Sequence, residues 1–457
     1  MLPSLTDLSA LLAARPGAQL PAAPPVGVST DSRALAPGEL FFALAGENHD
    51  GHDHVAAALA AGAVAAVVSR RPANVPETAP LLLVEDTLRA YGQLAAWVRA
   101  QYPGALVLGL TGSTGKTTTK ALAGSILTRL APTLVAEGNQ NNEIGVPRTL
   151  LQLDESYRYC LLEFGMRGRG EIAYLAEISR PQIGLITNIG ASHLGRLGGR
   201  EAIAQSKAEL LTALPPEGRA VLPADDFFFG LLREMPACPV VSFGLESPEA
   251  EVRAERVNLR GLEGSDFELV LAGERLPVSL SLPGRHNILN ALAAAALVWA
   301  ATGSTEGIRE GLEQAAVESM RGEVLTLPGP LTVINDAYNA SPTSVAAAVD
   351  LLASLPGRRI LVLGDMLELG QFAAAEHRQI GLQVARQGVD WLVTVGPAAA
   401  EAATAAREAG AGADSVEAAG DAVELLRGRL QPGDVVLVKG SRRMALEQVV
   451  EGLKHVH

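Results

Sequence analysis

A glycine-rich segment between an apolar strand and a helix restricts the possible folds of this chain more than any other feature. Residues 105–110, ALVLGL, have the apolar run of a buried strand, and residues 117–130, TTTKALAGSILTRL, have the pattern of a helix. Between them lies a loop that ends in Gly115 and Lys116. The backbone N–H groups of such a loop and the N-terminus of the next helix bind phosphate. The segment therefore predicts an α/β domain with a phosphate-binding loop.

The spacing of this loop departs from the usual pattern. A phosphate loop commonly has a glycine five residues before its Gly-Lys pair, whereas this chain has Leu110 at that position and Gly109 one residue further away. The strand and helix on either side still favour phosphate binding. Lys116 is therefore predicted to reach the terminal phosphates of a nucleotide, and Thr117 to offer its hydroxyl to Mg²⁺.

Apolar strands and helical segments alternate along the chain. Further strand-like runs occur at 159–164, 183–190, 331–336, 358–365, 391–396 and 434–440. Such alternation indicates parallel sheets with helices on both faces, and ligands of these sheets bind beyond the carboxyl ends of the strands. Polar residues fall at those ends, namely Lys116, Glu163, Asn188, His193, Asp336, Asp365 and Lys439. We therefore expect a site assembled at the strand ends.

Proline- and glycine-bearing breaks divide the chain. They lie near residues 71–80, 102–104 and 321–330. The predicted domains are 1–100, 101–321 and 322–457. The expected fold class is α/β, with a small mixed first domain, a central parallel-sheet domain that carries the phosphate loop, and a C-terminal Rossmann-like domain.

Composition excludes several classes of protein. The formal net charge of −13 argues against general binding of nucleic acid or membrane surfaces. The longest apolar run, at 291–301, is shorter than the roughly 20 residues that span a bilayer, and the N-terminal segment lacks the basic region of a secretory signal. Cys160 and Cys238 are expected to be free thiols. These features predict a cytoplasmic protein without membrane insertion.

Lys207 is one of only five lysines in the chain. It lies in the helical pattern EAIAQSKAELLTAL, on the same face as the apolar residues Ile203, Leu210 and Leu211. An unpaired ammonium buried on such a face costs several kcal/mol. Lys207 therefore either extends its amine to solvent or is a reactive amine held for a specific partner. The pattern alone leaves both interpretations open.

Glu163 and His193 are candidate metal ligands. An acidic residue at the end of a strand next to a phosphate loop suits Mg²⁺, which prefers oxygen ligands. Taken alone, Glu163 could equally be a surface carboxylate, and an isolated histidine such as His193 is more often structural. The first-domain histidines, His49, His52 and His54, fit no standard zinc spacing, so no metal site is predicted there.

The ordered motifs of the whole chain resemble those of the Mur ligases, the ATP-dependent amide-bond ligases of bacterial cell-wall synthesis. These motifs are TGSTGKTTTK, NQNNEIGVPRTLL, ITNIGASHL, REAIAQSKAE, GRHNILNALAA, DAYNASP, VLGDMLELG and VLVKGSRRM. The shortened spacing of the phosphate loop is typical of that family. The DSR at 31–33 and the segment AGENHDGH resemble the UDP-sugar-binding first domain of some members. The chain lacks DNPR, the signature of members that add the third peptide residue. The resemblance is therefore strongest to members that add D-Ala-D-Ala to UDP-N-acetylmuramoyl-tripeptide.

This resemblance implies a UDP-binding first domain, ATP and Mg²⁺ as cofactors, and specific roles for named residues. The implied nucleotide-binding residues are Gly112, Ser113, Thr114, Gly115, Lys116, Thr117, Thr118, Asn287 (adenine), Asp336 (ribose) and Asn339. The implied metal ligands are Thr117, Glu163, His193 and Lys207, the last as a carbamate. The implied substrate-binding residues are Ser29, Asp31, Ser32, Arg33, Asn141 and Asn142. The implied catalytic residues are Lys116, Lys207, His193 and Arg321, the last contacting phosphate when the domains close.

Three positions differ from the common family pattern. Thr114 and Ser341 stand where asparagine is usual, and Asn335 stands where aspartate is frequent. These departures affect the expected details of nucleotide contact and leave the class of protein unchanged.

Two alternatives remain. A ligase of the folylpolyglutamate or cyanophycin type would share the core but lack the first-domain motifs. A non-catalytic nucleotide-binding protein would keep the fold, but the joint presence of Lys116, Glu163, His193 and Lys207 disfavours it. We expect a monomer that uses small-molecule substrates and binds no nucleic acid.

Overall fold

The computed structural model describes residues 2–46, 49–316, 319–328 and 331–454. Within these ranges the strands are β1 Arg15–Pro16, β2 Val28–Ser29, β3 Leu40–Phe42, β4 Ala65–Val68, β5 Leu81–Leu83, β6 Leu106–Thr111, β7 Thr133–Val135, β8 Tyr159–Glu163, β9 Ile183–Ile186, β10 Arg219–Pro223, β11 Val240–Gly244, β12 Val252–Leu259, β13 Ser265–Leu271, β14 Glu274–Leu280, β15 Glu323–Leu327, β16 Leu331–Asp336, β17 Arg359–Gly364, β18 Trp391–Val395, β19 Ala413–Val416 and β20 Val435–Lys439.

The α-helices are α1 Leu5–Leu11, α2 Val55–Ala60, α3 Thr87–Gln101, α4 Lys116–Leu130, α5 Gly145–Leu150, α6 Glu171–Ser179, α7 Leu194–Leu197, α8 Arg200–Thr212, α9 Phe229–Leu232, α10 Arg285–Thr302, α11 Ile308–Glu313, α12 Pro342–Ala353, α13 Ala373–Arg386, α14 Ala400–Glu408, α15 Ala419–Arg427 and α16 Glu447–Leu453. Short 3₁₀ helices lie at Gly51–His54, Gly261–Glu263, Gly370–Phe372 and Arg442–Met444.

The backbone forms two compact units. The first contains Met1–Val107, Leu134–Phe164 and Ala173–Arg180. The second contains Leu108–Thr133, Gly165–Ile172 and Pro181–His457. The phosphate loop, Lys207 and the C-terminal part of the chain therefore belong to the second unit.

The first sheet has five strands in the order β1-β5-β4-β3-β2. The strands from β2 to β5 pair in parallel, and β1 pairs with β5 antiparallel. Alternating residues of β3 enter two separate apolar clusters, Phe42 with Tyr91 in one and Phe41 with Val55 in the other. Both faces of this sheet are therefore covered, as the predicted small mixed α/β domain requires.

The central sheet has nine strands in the order β14-β13-β12-β11-β10-β9-β6-β8-β7. The pairs β6–β9, β9–β10, β10–β11 and β11–β12 are parallel. The pairs β12–β13 and β13–β14 are antiparallel, and these two pairs were not predicted from the sequence. The strands β6 and β9, which lead into the phosphate loop and Asn188, nevertheless pair in parallel.

The third sheet has the order β15-β16-β20-β17-β18-β19. All its pairs are parallel except β15–β16. Its apolar core includes Val333, Val362, Val393 and Val438, each fully or almost fully buried. The sheet therefore matches the predicted Rossmann-like alternation. No described helix is long and apolar enough to cross a membrane.

Candidate active site

The predicted phosphate loop connects β6 to α4. Gly115 is the N-cap of α4 with φ of 78°, and Gly112 has φ of 154°. A Cβ atom on Gly115 would overlap Asn290 Oδ1, and one on Gly112 would overlap Thr187 Oγ1. Both backbone conformation and space therefore require glycine at these positions. Lys116 Nζ donates a hydrogen bond to the Gly112 carbonyl at 2.9 Å, so its ammonium lies over the loop.

Asn188, just after β9, holds the loop in place. Its Oδ1 accepts from the Thr114 backbone N–H at 3.1 Å, and its Nδ2 donates to the Thr114 carbonyl at 3.1 Å. The Ser113 N–H donates to the Asn188 carbonyl at 3.1 Å. Thr114 makes these two contacts to Asn188 through its backbone N–H and carbonyl. The contacts therefore do not require the asparagine that the family commonly has at position 114. Asn188 therefore fixes the loop, a role that its place at a strand end indicated only in general terms.

The start of α10 supports the loop from another side. Asn287 is 9% exposed; its Nδ2 donates to the Pro283 carbonyl at 2.8 Å, and its Oδ1 accepts from Asn290 Nδ2 at 3.0 Å. Asn290 in turn lies against Gly115. Both amides are thus held within the protein. Contact of Asn287 with adenine stays a prediction.

Lys207 is buried on α8. Its exposure is 2%, with Ile203, Leu210 and Leu211 of the same helix fully buried. Burial lowers the pKa of its amine well below the ordinary value, and the positive charge of Lys116 lowers the pKa further. Among the residues that the structure describes, none forms an ion pair with Lys207. The structure thus excludes the solvent-directed alternative and favours a neutral amine.

The buried amine predicts a measurable effect on stability. Between its lowered folded-state pKa and the ordinary value near 10.4, the unfolded chain binds a proton that the folded chain does not. The free energy of unfolding should therefore rise with pH across this interval. In CO₂-free buffer, Lys207→Met should remove that slope and raise the free energy of unfolding at pH 7 by about 1–3 kcal/mol, measured by urea denaturation.

Lys439→Met is the matched control for this measurement. Lys439 is also buried, at 3% exposure, but its Nζ lies 2.5 Å from Asp336 Oδ2. Removing this ammonium leaves a carboxylate without its partner, so stability should fall. A loss of stability in Lys207→Met at pH 7 would contradict the neutral, unpaired amine.

His193 and Glu368 face each other within the second unit. His193 Nδ1 lies 2.5 Å from Glu368 Oε2, and the Gly195 N–H donates to the Glu368 carbonyl at 3.1 Å. Both His193 and Glu368 have left-handed backbone conformations, with φ of 62° and 66°, which cost non-glycine residues about 1–2 kcal/mol each. The hydrogen bond from His193 lowers the pKa of Glu368, as do the charges of His193 and nearby arginines.

Asp336 ends β16 opposite Lys439 of β20. Lys439 Nζ also donates to the Asn339 carbonyl at 3.1 Å, so one ammonium fixes both the carboxylate and the turn after it. The Arg321 guanidinium stacks 3.9 Å from the centroid of the Tyr338 ring. The predicted nucleotide-contacting residues Asp336, Asn339 and Arg321 thus belong to one cluster, although their contacts with a nucleotide stay predictions.

Glu163 ends β8 in the first unit and is 2% exposed. Asn141 Nδ2 donates to Glu163 Oε1 at 2.8 Å, which orients the carboxylate. Asn142 Oδ1 accepts from the N–H groups of Ile144 and Gly145 at 3.2 and 2.9 Å, so its side chain stabilises the turn into α5. These contacts leave the predicted substrate roles of both asparagines untested.

The predicted UDP-binding residues form an ordered turn in the first unit. Arg33 Nε and Nη2 donate to Asp31 Oδ1 and Oδ2 at 2.9 and 2.7 Å, and the Asp31 N–H donates to Ser29 Oγ at 3.2 Å. The bonds from Arg33 hold the pKa of Asp31 well below its usual range. Ser32 lies between the paired residues. The guanidinium, with its side chain 88% exposed, is held in one orientation at the surface.

Two of the predicted metal ligands, Thr117 and Glu163, carry oxygen donors, whose chemistry suits a cation that arrives with phosphates. The described residues contain no group of three or more His, Cys, Asp or Glu side chains placed to hold a metal ion. Mg²⁺ commonly keeps several waters and binds through a few protein oxygens together with substrate phosphates. The Thr117 hydroxyl at the start of α4 and the Glu163 carboxylate are donors of that kind.

The fold and this arrangement correspond to one family. The chain matches three family models: Mur ligase family, catalytic domain, over residues 26–99; Mur ligase middle domain, over 110–298; and Mur ligase, glutamate ligase domain, over 320–442. The chain therefore belongs to the Mur ligase family, and it is a ligase with the three-domain α/β architecture predicted from its sequence.

Individual relatives indicate a particular type within this family. The UDP-N-acetylmuramoyl-tripeptide–D-alanyl-D-alanine ligase of Escherichia coli is 39% identical over 93% of this chain and 93% of its own length. A crystal structure of MurF from Acinetobacter baumannii has a TM-score of 0.92 at 35% identity and covers 99% of this chain and 98% of its own. MurF ligase from Thermotoga maritima in complex with ADP has a TM-score of 0.82 at 26% identity, covering 94% and 97%. These relatives confirm the resemblance to the type that adds D-Ala-D-Ala.

Proposed function

We propose that this chain joins D-Ala-D-Ala to the terminal carboxylate of UDP-N-acetylmuramoyl-tripeptide, using ATP. One observation carries the proposal beyond family membership: the buried, pKa-lowered amine of Lys207 lies within electrostatic range of Lys116 in the phosphate loop. The names of the relatives support this choice of substrates. The oriented Arg33 in the first unit offers a donor for the diphosphate.

The reaction has two steps. A carboxylate is a poor acylating agent, so an oxygen of the tripeptide carboxylate first attacks the γ-phosphorus of ATP, releasing ADP and forming an acyl phosphate. The amine of D-Ala-D-Ala then attacks the acyl carbon. Phosphate leaves with the bonding electrons, and the amine loses its proton. The protein supplies alignment and charge neutralisation for both steps.

Residues of the second unit, together with Glu163 of the first, divide this work. Lys116 and the loop N–H groups hold the phosphates, with Gly112, Ser113, Thr114, Gly115, Thr117 and Thr118 shaping the loop. The Lys207 amine reacts with CO₂ to form a carbamate and release a proton, which places an anion beside Lys116. The carbamate, Thr117, Glu163 and His193 are the proposed ligands of Mg²⁺. When bound, Mg²⁺ neutralises the charge on the transferring phosphoryl oxygens.

The nucleotide and the UDP-linked substrate use further residues. Asn287 contacts adenine, Asp336 contacts the ribose and Arg321 contacts phosphate, and Asn339 also belongs to the nucleotide site. Ser29, Asp31, Ser32 and Arg33 hold the UDP end, while Asn141 and Asn142 bind along the peptide-bearing substrate. All these groups come from one chain, so a monomer suffices. The proposed substrates place the reaction in the cytoplasm.

A phosphate-release assay tests this function. Phosphate should appear only when ATP, Mg²⁺, UDP-N-acetylmuramoyl-tripeptide and D-Ala-D-Ala are all present, because the acyl phosphate requires the first three and its productive breakdown requires the amine. Omitting each component in turn gives the controls. Equal turnover with the UDP-dipeptide and a diamino acid would show instead that the chain adds the third peptide residue.

A further inference from the structure

We propose that Glu368 is a positioning residue for His193, and that it acts from the C-terminal part of the chain on the metal site of the central part. This inference rests on the proposed function, because His193 is there a ligand of Mg²⁺. Glu368 lies in the turn between β17 and the 3₁₀ helix Gly370–Phe372, whereas His193 precedes α7. Nothing in the sequence pattern around either residue predicts their contact.

The two imidazole nitrogens of His193 have different roles. His193 Nδ1 lies 2.5 Å from Glu368 Oε2, and no other polar partner of this nitrogen is found among the described residues. A carboxylate at this distance favours a proton on Nδ1, which leaves Nε2 as the nitrogen that can bind a divalent cation. Carboxylates that orient metal-binding histidines in this way are a common feature of metal sites.

Hydrogen bonds from the two residues before Glu368 hold its turn in place. Just before it, the Met366 N–H donates to His377 Nε2 at 3.0 Å, and the Leu367 N–H donates to Ser441 Oγ at 2.9 Å. His377 is completely buried, and its Nδ1 donates to the Ala373 carbonyl at 2.7 Å. These bonds fix the turn in which Glu368 adopts its left-handed conformation. The carboxylate is therefore placed by a rigid segment rather than by a flexible surface loop.

A close backbone contact brings the segments of His193 and Glu368 together. A Cβ on Gly195 would lie 2.5 Å from the Gly370 backbone nitrogen and 2.9 Å from the Glu368 carbonyl oxygen. A Cβ on Gly370 would lie 2.9 Å from Gly195 Cα. Any larger residue at Gly195 must push the two segments apart. The Glu368–His193 pair therefore forms only when these glycines are in contact, which couples orientation of the imidazole to seating of the C-terminal sheet.

Metal binding tests this proposal without relying on turnover. Mn²⁺ is titrated into the full chain with a non-hydrolysable ATP analogue, and free Mn²⁺ is measured by electron paramagnetic resonance. Glu368→Gln should weaken Mn²⁺ binding on the order of 10- to 100-fold, while its melting temperature stays close to that of the unmodified chain. Glu376→Gln is the matched control, since Glu376 is a partly buried carboxylate on α13 in the same C-terminal part of the chain. This variant should bind Mn²⁺ normally.

Two further variants separate the possible outcomes. Gly195→Ala should reproduce the weaker Mn²⁺ binding, whereas Gly199→Ala, with open space around its Cβ, should not. His193→Ala tests the metal role itself: unchanged Mn²⁺ binding there would overturn both that role and this inference. Weaker binding in His193→Ala with normal binding in Glu368→Gln would overturn the inference alone. ¹⁵N spectra of the imidazole give a second readout, in which Glu368→Gln should shift the proton balance between Nδ1 and Nε2.

Discussion

Lys207→Arg should lose activity by a factor on the order of 10² to 10³, comparable to the removal of one essential electrostatic group from an active site. Arginine keeps a positive charge but cannot form a carbamate. It also cannot become neutral, so it introduces a permanent cation where the structure holds a pKa-lowered amine beside Lys116. The measurement is kcat for phosphate release with all four components saturating.

Chemical rescue distinguishes a carbamate from a merely structural lysine. Lys207→Ala opens a space on the buried face of α8, where a short carboxylic acid can place two anionic oxygens. Acetate or formate should therefore restore part of the activity of Lys207→Ala and none of that of Lys207→Arg, whose side chain still fills the space. Full activity in Lys207→Arg would remove the carbamate from the mechanism.

The strands and helices that carry the site could be predicted from the sequence because each has a strong local pattern. The run LTVIND corresponds to β16 without change of boundaries, and α8 matches the periodicity around Lys207. The strands β12, β13 and β14 were not found. Their residues mix buried, partly buried and exposed positions and include many charged side chains, so they lack the continuous apolar run that identified the parallel strands.

The partners of the site residues could not be predicted, because they depend on contacts between distant segments. Motif reasoning selected Asp336 and His193 but gave no indication of their pairing with Lys439 and Glu368. Lys439 had one usable signal, a lone lysine at the end of an apolar strand. Glu368 lies within the motif VLGDMLELG, but nothing in that motif singled out its carboxylate, because its left-handed backbone is a property of the folded turn.

Gly115→Ala should abolish most productive ATP binding while leaving the fold intact. The residue has φ of 78° at the N-cap of α4, a conformation that costs a residue with a Cβ about 1–3 kcal/mol. The new Cβ would also overlap Asn290 Oδ1. The loop must shift to relieve the backbone strain and the overlap, and this shift moves its N–H groups away from the phosphates. The kcat/KM for ATP should therefore fall on the order of 10²- to 10³-fold. Gly104→Ala, placed before β6 with open space around its Cβ, is the control and should behave like the unmodified chain.

Asn290→Ala separates the two causes of that loss. Alone, it removes the hydrogen bonds to Asn287 and Thr119 and should reduce kcat/KM modestly. Combined with Gly115→Ala, it removes the overlap but not the backbone strain, so the double variant should be more active than Gly115→Ala alone. Equal activity of the double variant and Gly115→Ala would assign the loss to the left-handed conformation only. Normal ATP kinetics in Gly115→Ala would show that the loop N–H groups do not hold the phosphates, because their positions depend on this glycine.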